Sequence, residues 1–237
     1  MKLSILMPVY NERHLIGNAV KQALDVSYPC DIELLVVDDG SRDGTAELLT
    51  GLEDPRINLQ LHARNQGKGA AIKTAAEKAT GDYMVILDAD LEYDPEDIPR
   101  LLEPVLDGRA SVVYGSRTFG SHSAYSFWYV MGNKGVTTAA NVIYNSYISD
   151  LETCFKLMPL ELFRDLKIRS AGFGMEAEIT GKLLRRRVRP YEVPISYHAR
   201  TREEGKKITW KDGVEALWIL MRERVRRPPA KVSRKPG

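Results

Sequence analysis

Cysteine is scarce in this chain: Cys30 and Cys154 are the only two thiols in 237 residues, and they lie far apart. That spacing excludes a disulfide framework and a cysteine metal knuckle, and makes a reducing cytosol the default compartment. Histidine is nearly as rare. His14, His62, His122 and His198 are scattered, and each reads as structural. No HEXXH, Gly-x-Ser-x-Gly or Cys-x-x-Cys occurs, which removes the commonest zinc-peptidase, hydrolase and redox readings. Long apolar runs are missing too. Nothing approaches the roughly 18 uninterrupted apolar residues of a membrane-spanning helix. Met1 to Tyr10 is apolar but is broken by Pro8 and followed by Asn11-Glu12, so it does not read as a signal peptide. A net charge of +2 is too small to imply a nucleic-acid partner. The expectation is a soluble or peripheral cytoplasmic protein.

Charged residues at 28% and hydrophobic residues at 43% are ordinary for a globular chain, and the length is ample for a substantial core. Apolar runs at residues 3–9, 33–37, 57–62, 84–87 and 111–114 read as strands. Between them, apolar residues recur at helical spacing, as in Leu15, Ile16, Ala19, Val20, Ala23 and Leu24. Asp43-Gly44 and Pro95 mark helix starts. Strands alternating with helices over short connections predict a mostly parallel sheet covered on both faces. The second half predicts helices at 128–144, 160–166 and 175–187, strands at 154–157 and 191–197, and a last helix from Trp210 to Val225. The expected organisation is one domain over 1–221. A basic tail follows over 222–237, with seven Lys/Arg against one acid from Arg222 to Lys235, and composition predicts it disordered.

Polar clusters stand where the strands end: Tyr10-Asn11-Glu12, Asp38-Asp39, Asn65 to Lys68, Asp88-Ala89-Asp90 and Arg117. Ligands of parallel sheets bind beyond the carboxyl ends of the strands, so several clusters together point to a nucleotide site. On an extended backbone Asp88, Asp90 and Glu92 share one face, an oxygen set suited to Mg²⁺ or Mn²⁺. The competing reading is a strand running into an acidic surface turn. Asp38-Asp39-Gly40 is equally explained by turn chemistry with Ser41 or Asp43 capping a helix. Glu12 reads also as a first-turn helix acid, and Arg117 as a solvated cation. Gly67-Lys68-Gly69 lacks the third glycine of a dinucleotide fingerprint, and no P-loop is present.

Taken in order, Pro8-Val9-Tyr10-Asn11-Glu12, Val36-Val37-Asp38-Asp39-Gly40-Ser41, Asn65-x-Gly67-Lys68-Gly69 and Asp88-Ala89-Asp90 resemble family 2 glycosyltransferases of the GT-A fold. Leu91-Glu92, Gly115-Ser116-Arg117, Asp150 to Lys156, Glu192 to Ile195 and Glu204 to Ile208 resemble the branch of dolichyl- and polyprenyl-phosphate sugar synthases. The resemblance spans about residues 3–220. It implies a Rossmann-like sheet flanked by helices, with acceptor-side elements and an amphipathic helix at the C-terminal end. It also implies a nucleotide-sugar donor, with a UDP-sugar favoured over GDP-mannose, and a divalent Mg or Mn ion. Pro8, Tyr10 and Glu12 would hold base and ribose, with Val37 and Asp39 on the base. Asp88, Ala89 and Asp90 would meet ribose, diphosphate and metal, with Glu92 as third ligand where mannose-synthase relatives carry Gln. Lys68, Arg200, Arg202 and Lys207 would approach the phosphates. Arg117 would face the acceptor phosphate, with Lys134 standing near where relatives often carry a second Arg. Asp90 and Arg117 would carry the catalysis.

A lipid phosphate acceptor is already ionised near neutral pH, its second pKa being near 6, and needs no strong base. A sugar hydroxyl needs one, with Asp150, Glu152, Glu176 and Glu178 as the carboxylates available; a non-catalytic nucleotide-sugar binder is the third reading, disfavoured because every expected metal ligand is present. The last helix carries the stripe Trp210, Val214, Leu217, Trp218, Met221 and Val225. The stripe reads as core; alternatively, with its basic extension, it docks on an anionic inner membrane face.

Overall fold

A computed structural model describes residues 1–121, 126–172, 174–200 and 210–226. Arg202, Lys207, His122, the loop at 201–209 and the tail beyond Arg226 lie outside the described residues. The first half alternates as the sequence predicts: β1 Lys2–Val9, α1 Ile16–Asp25, β2 Asp31–Asp38, α2 Thr45–Thr50, β3 Ile57–Leu61, α3 Lys68–Lys78 and β4 Tyr83–Ile86. After a 3-10 turn at Pro95–Asp97 come α4 Ile98–Leu106, β5 Val113–Ser116, α5 Phe127–Tyr144, β6 Lys156–Pro159, α6 Leu160–Leu166, α7 Met175–Arg185, β7 Tyr191–Pro194 and α8 Trp210–Val225. Pro95 opens its turn at the position where a missing N–H costs nothing, and the Asp94 side chain accepts from Glu96 N.

The strands form one sheet in the order β3-β2-β1-β4-β6-β5-β7. β1 lies parallel to β2 and β4, β2 to β3, and β5 to β7. β6 runs antiparallel to both its neighbours. The register sets Val9 beside Asp38, and Asp38 beside Leu61, so the polar clusters that follow these strands emerge along one edge. Leu3, Ile5, Leu6, Val36, Val37, Met84, Val85 and Ile86 are wholly buried, as strands covered on both faces require.

At the opposite edge, Glu33 of β2 is a buried carboxylate bonded by Lys2 Nζ, Ser4 Oγ, and Thr80 N and Oγ1. Burial would raise its pKa, but these hydrogen bonds outweigh it and hold the carboxyl down to about 2, from an ordinary 4.5. A depressed acid contributes stability above its unfolded value that is lost as pH falls through the folded one. Glu33→Gln should therefore destabilise the neutral protein by ~1–3 kcal/mol. Urea denaturation should show that difference shrinking from pH 4.5 towards pH 2.

A second apolar cluster joins three helices: Val136 and Ala140 of α5, Ala177 of α7, and Ala216, Ile219 and Leu220 of α8. Tyr144 Oη donates to the Leu220 carbonyl at 2.8 Å. This corrects the reading of the last helix. Its packed face is Ala216-Ile219-Leu220, whereas Trp218 and Met221 of the expected core stripe are 60% and 63% exposed. Of Trp210 only the backbone is described. No described helix is long and apolar enough to cross a membrane.

Candidate active site

The acidic stretch is not the extended strand that its alternation suggests. β4 stops at Ile86, and the chain turns through Leu91, whose φ of 60° lies in the left-handed region. Glu92 N donates to Asp90 Oδ1 at 3.1 Å inside this turn. The turn separates the three acids by partner. Asp88 Oδ2 meets Lys68 Nζ at 2.8 Å. Asp90 Oδ2 lies 3.3 Å from Arg200. Glu92, expected as a third metal ligand, is buried: Oε2 accepts from Tyr197 Oη at 2.6 Å and Oε1 from Arg200 N at 2.9 Å. It stands as a strut for the 197–200 segment because both oxygens already have donors. Burial first, and the charges of Asp88 and Glu92 next, push the Asp90 carboxyl up to about 7.

Arg200 also reaches Glu12 at 3.2 Å, so one guanidinium gathers acids that follow β1 and β4. Asn11, in the left-handed region at φ 54°, makes the turn that presents Tyr10 and Glu12. Asp39 accepts from Gln66 N and Gly67 N, and lies 2.7 Å from His62 Nδ1. It thereby ties the loop after β3 to the end of β2. The turn chemistry expected of this region falls to its neighbours, Asp38 accepting from Ser41 N and Asp43 from Thr45 N.

Lys68, first residue of α3, places its ammonium between Asp88 and Glu176, at 2.8 and 2.9 Å. Burial would lower its pKa, but the two carboxylates outweigh that and keep it charged. The N–H groups of Gly69 and Ala70 both go to the Ala171 carbonyl, so α3 abuts the segment leading into α7. Gly67 has φ 97°, and a Cβ at either Gly67 or Gly69 would run into the backbone at 170–171. Only glycine permits this approach.

Arg117, expected on the acceptor side, is not a free cation. Its Nε and Nη2 bind Asp150 Oδ2 and Oδ1 at 2.7 and 2.8 Å, and its guanidinium lies 5.0 Å from the Tyr197 ring centre. Asn133 Nδ2 also donates to Asp150. Burial would raise Asp150, but Arg117 outweighs it and holds the carboxyl below its usual range, which makes Asp150 a poor base. Glu178 accepts from Arg169 N and Ser170 N and pairs with Lys182, away from the cleft. Glu152 does line the cleft, and burial raises its carboxyl. Lys134 is exposed at the mouth without an ion-pair partner among the described residues.

The described residues expected to hold donor, metal or acceptor all line one cleft of about 680 Å³ except Val37, and of the candidate bases only Glu178 stands outside it. Val37 is wholly buried in the sheet core, so its side chain cannot touch a base. Tyr197, the strut partner of Glu92, and Asp212 at the start of α8 also line the cleft. Neither was named from sequence, because a lone aromatic after a strand carries no periodic signal. Among the described residues no three His, Cys, Asp or Glu side chains are gathered to hold a metal ion by themselves.

Carboxylates, a lysine and an arginine converge at the strand ends of the sheet, and the chain has the GT-A fold. It belongs to glycosyl transferase family 2, whose profile matches residues 4–167. One relative is the dolichol-phosphate mannosyltransferase of Pyrococcus furiosus, 28% identical over 213 residues, covering 87% of this chain and 59% of the relative. The chain spans about three-fifths of the length of the curated relatives it matches. Among solved structures, glucosyl-3-phosphoglycerate synthase from Mycobacterium tuberculosis, with Mn²⁺, UDP and glucosyl-3-phosphoglycerate, aligns at TM-score 0.69 and 18% identity. That alignment covers 94% of this chain and 79% of that one. The mannosyltransferase PcManGT from Pyrobaculum calidifontis, with GDP-Man and Mn²⁺, aligns at TM-score 0.59 and 21% identity over 83% and 56%.

Proposed function

We propose that this chain moves a hexose from a nucleotide-sugar, a UDP-sugar before GDP-mannose, onto a polyprenyl phosphate with inversion at the anomeric carbon. The observation that carries the reading is Lys134, a cation with no ion-pair partner among the described residues, exposed at the cleft beside exposed apolar side chains. α5 lines the cleft through Tyr129, Val130, Asn133 and Lys134, and leaves Phe127 and Trp128 in its first turn 64% and 79% exposed. α8 adds exposed Val214, Trp218 and Met221, with the Arg222 guanidinium 4.8 Å from the Trp218 ring centre. Apolar side chains beside cations suit an anionic bilayer surface, here the inner face of the membrane.

The donor set fits a hard divalent ion: Asp88 and Asp90 offer carboxylate oxygen, and the crowding of acids around Asp90 leaves negative charge that a cation would neutralise. Such an ion, Mg²⁺ or Mn²⁺, would stabilise charge on the departing diphosphate. Lys68 fixes Asp88, and Arg200 leans on Glu12 and Asp90 within reach of the phosphates. Lys134 would hold the acceptor phosphate, with Arg117 and Asp150 as the rigid wall behind it. The phosphate oxygen forms its bond to the anomeric carbon as the carbon–oxygen bond to the nucleotide breaks, and the electron pair leaves with the diphosphate.

A second reading, transfer to a sugar hydroxyl, draws on Glu152, which lines the cleft with its carboxyl raised by burial and could take a proton. One panel tests both. UDP- and GDP-sugars are offered with a short polyprenyl phosphate or with soluble sugars, in Mg²⁺, Mn²⁺ or EDTA. Product on the lipid phosphate, lost in EDTA and unaffected by Glu152→Gln, is expected. Product only on soluble sugars, abolished by Glu152→Gln, favours the second reading. Phosphatidylglycerol vesicles should pellet the wild type and release a Trp128→Glu/Trp218→Glu variant; equal pelleting removes the membrane from the proposal.

A further inference from the structure

Not every carboxylate in the cleft has a role in the mechanism above. Glu176, in the first turn of α7, is 5% exposed and lines the cleft. Its Oε1 is fixed by Lys68 at 2.9 Å, and Lys68 is fixed in turn by Asp88. Its Oε2 is buried with no hydrogen-bond partner among the described residues. A buried acceptor left without a donor is costly, and a charged one more so. The seam where Gly67 and Gly69 meet the backbone at 170–171 holds α3, and with it Lys68, against the approach to α7.

We propose that Glu176 Oε2 accepts a hydrogen bond from one hydroxyl of the transferred sugar and so selects the donor. The inference rests on the nucleotide-sugar reading and deepens it. Two observations carry it. The orphan oxygen is one ammonium away from Asp88, the acid assigned to the diphosphate end, and a sugar lies next to its diphosphate. The contact of Oε1 with the Lys68 ammonium at 2.9 Å also anchors the side chain in the cleft wall, and the bond that a carboxylate makes to a hydroxyl is among the stronger ones. A donor lacking that hydroxyl leaves the oxygen unpaired, and sites of this kind discriminate strongly for that reason.

The test uses calorimetry with Mn²⁺ on the whole chain. Dissociation constants are measured for UDP, UDP-glucose and GDP-mannose, and for the deoxyfluoro analogues of whichever hexose binds, fluorine replacing each hydroxyl in turn. In the wild type one position should weaken binding about tenfold to a hundredfold. In Glu176→Met that penalty should fall below about threefold while UDP binds within about threefold of wild type. Should Glu176→Met not fold, Glu176→Gln takes its place; it keeps the side-chain volume and should reduce the same penalty at the same position. A penalty that persists in full in the folded variant, or a wild type in which no position carries one, overturns the inference. Failure of the underlying reading is distinguishable: the wild type then binds neither nucleotide-sugar, and the inference falls with it.

Discussion

Asp90→Asn should reduce transfer by at least about a thousandfold while leaving the fold intact, and in the absence of divalent ions should raise the melting temperature. Removing one well-placed electrostatic contributor typically costs about a hundred- to a thousandfold. Here the change removes the carboxylate on which both Arg200 and a metal would converge. The stability gain follows from the same geometry. Asp88, Asp90 and Glu92 crowd like charges into a partly buried turn, and an amide keeps the acceptor for Glu92 N while relieving the repulsion. Transfer assays at saturating donor, with thermal denaturation in EDTA, check both halves. Turnover within tenfold of wild type on every acceptor tried would remove Asp90 from the chemistry.

Asp150→Ala should be the most damaging change to stability in the cleft. Asp150 is 1% exposed and carries Arg117 in a two-point ion pair. Breaking a buried pair by removing one partner costs about 3–5 kcal/mol, because the other charge stays buried without compensation. Arg117→Met should cost less, since Asn133 still donates to Asp150. Combining Arg117→Met with Asp150→Leu should recover most of the stability lost in Asp150→Ala, as apolar replacements of whole ion pairs often do. Transfer should not return with it. Chemical denaturation of the three variants beside a transfer assay separates the two roles. A double variant that regains both would make the pair a structural clasp with no part in catalysis.

Most of the architecture was legible in the chain because its strands are short apolar runs that stop abruptly at polar residues, and its first helices repeat at clean spacing. Those stops also located the cleft. What escaped was long-range partnership. Nothing near Glu92 announces Tyr197, 105 residues on, nor does Arg117 advertise Asp150 at 33. Leu91 adopts a left-handed backbone without the glycine or asparagine that normally signals one, so strand alternation gave the wrong geometry for three acids. In α8 apolar residues occupy more than one face. Periodicity found a stripe, but which face finds a neighbour is decided by α5 and α7, and those took Ala216, Ile219 and Leu220 instead.

The contact between α3 and the Ala171 carbonyl also bears on how this protein can change. The family profile ends at residue 167, a few residues before the backbone that Gly67 and Gly69 touch. A hybrid that grafts another relative's C-terminal half onto this N-terminal half would inherit that junction blind, with every motif of the donor half intact. Swaps that keep 67–69 and 170–172 from the same parent should assemble; swaps that split them should not, however similar the two parents are elsewhere.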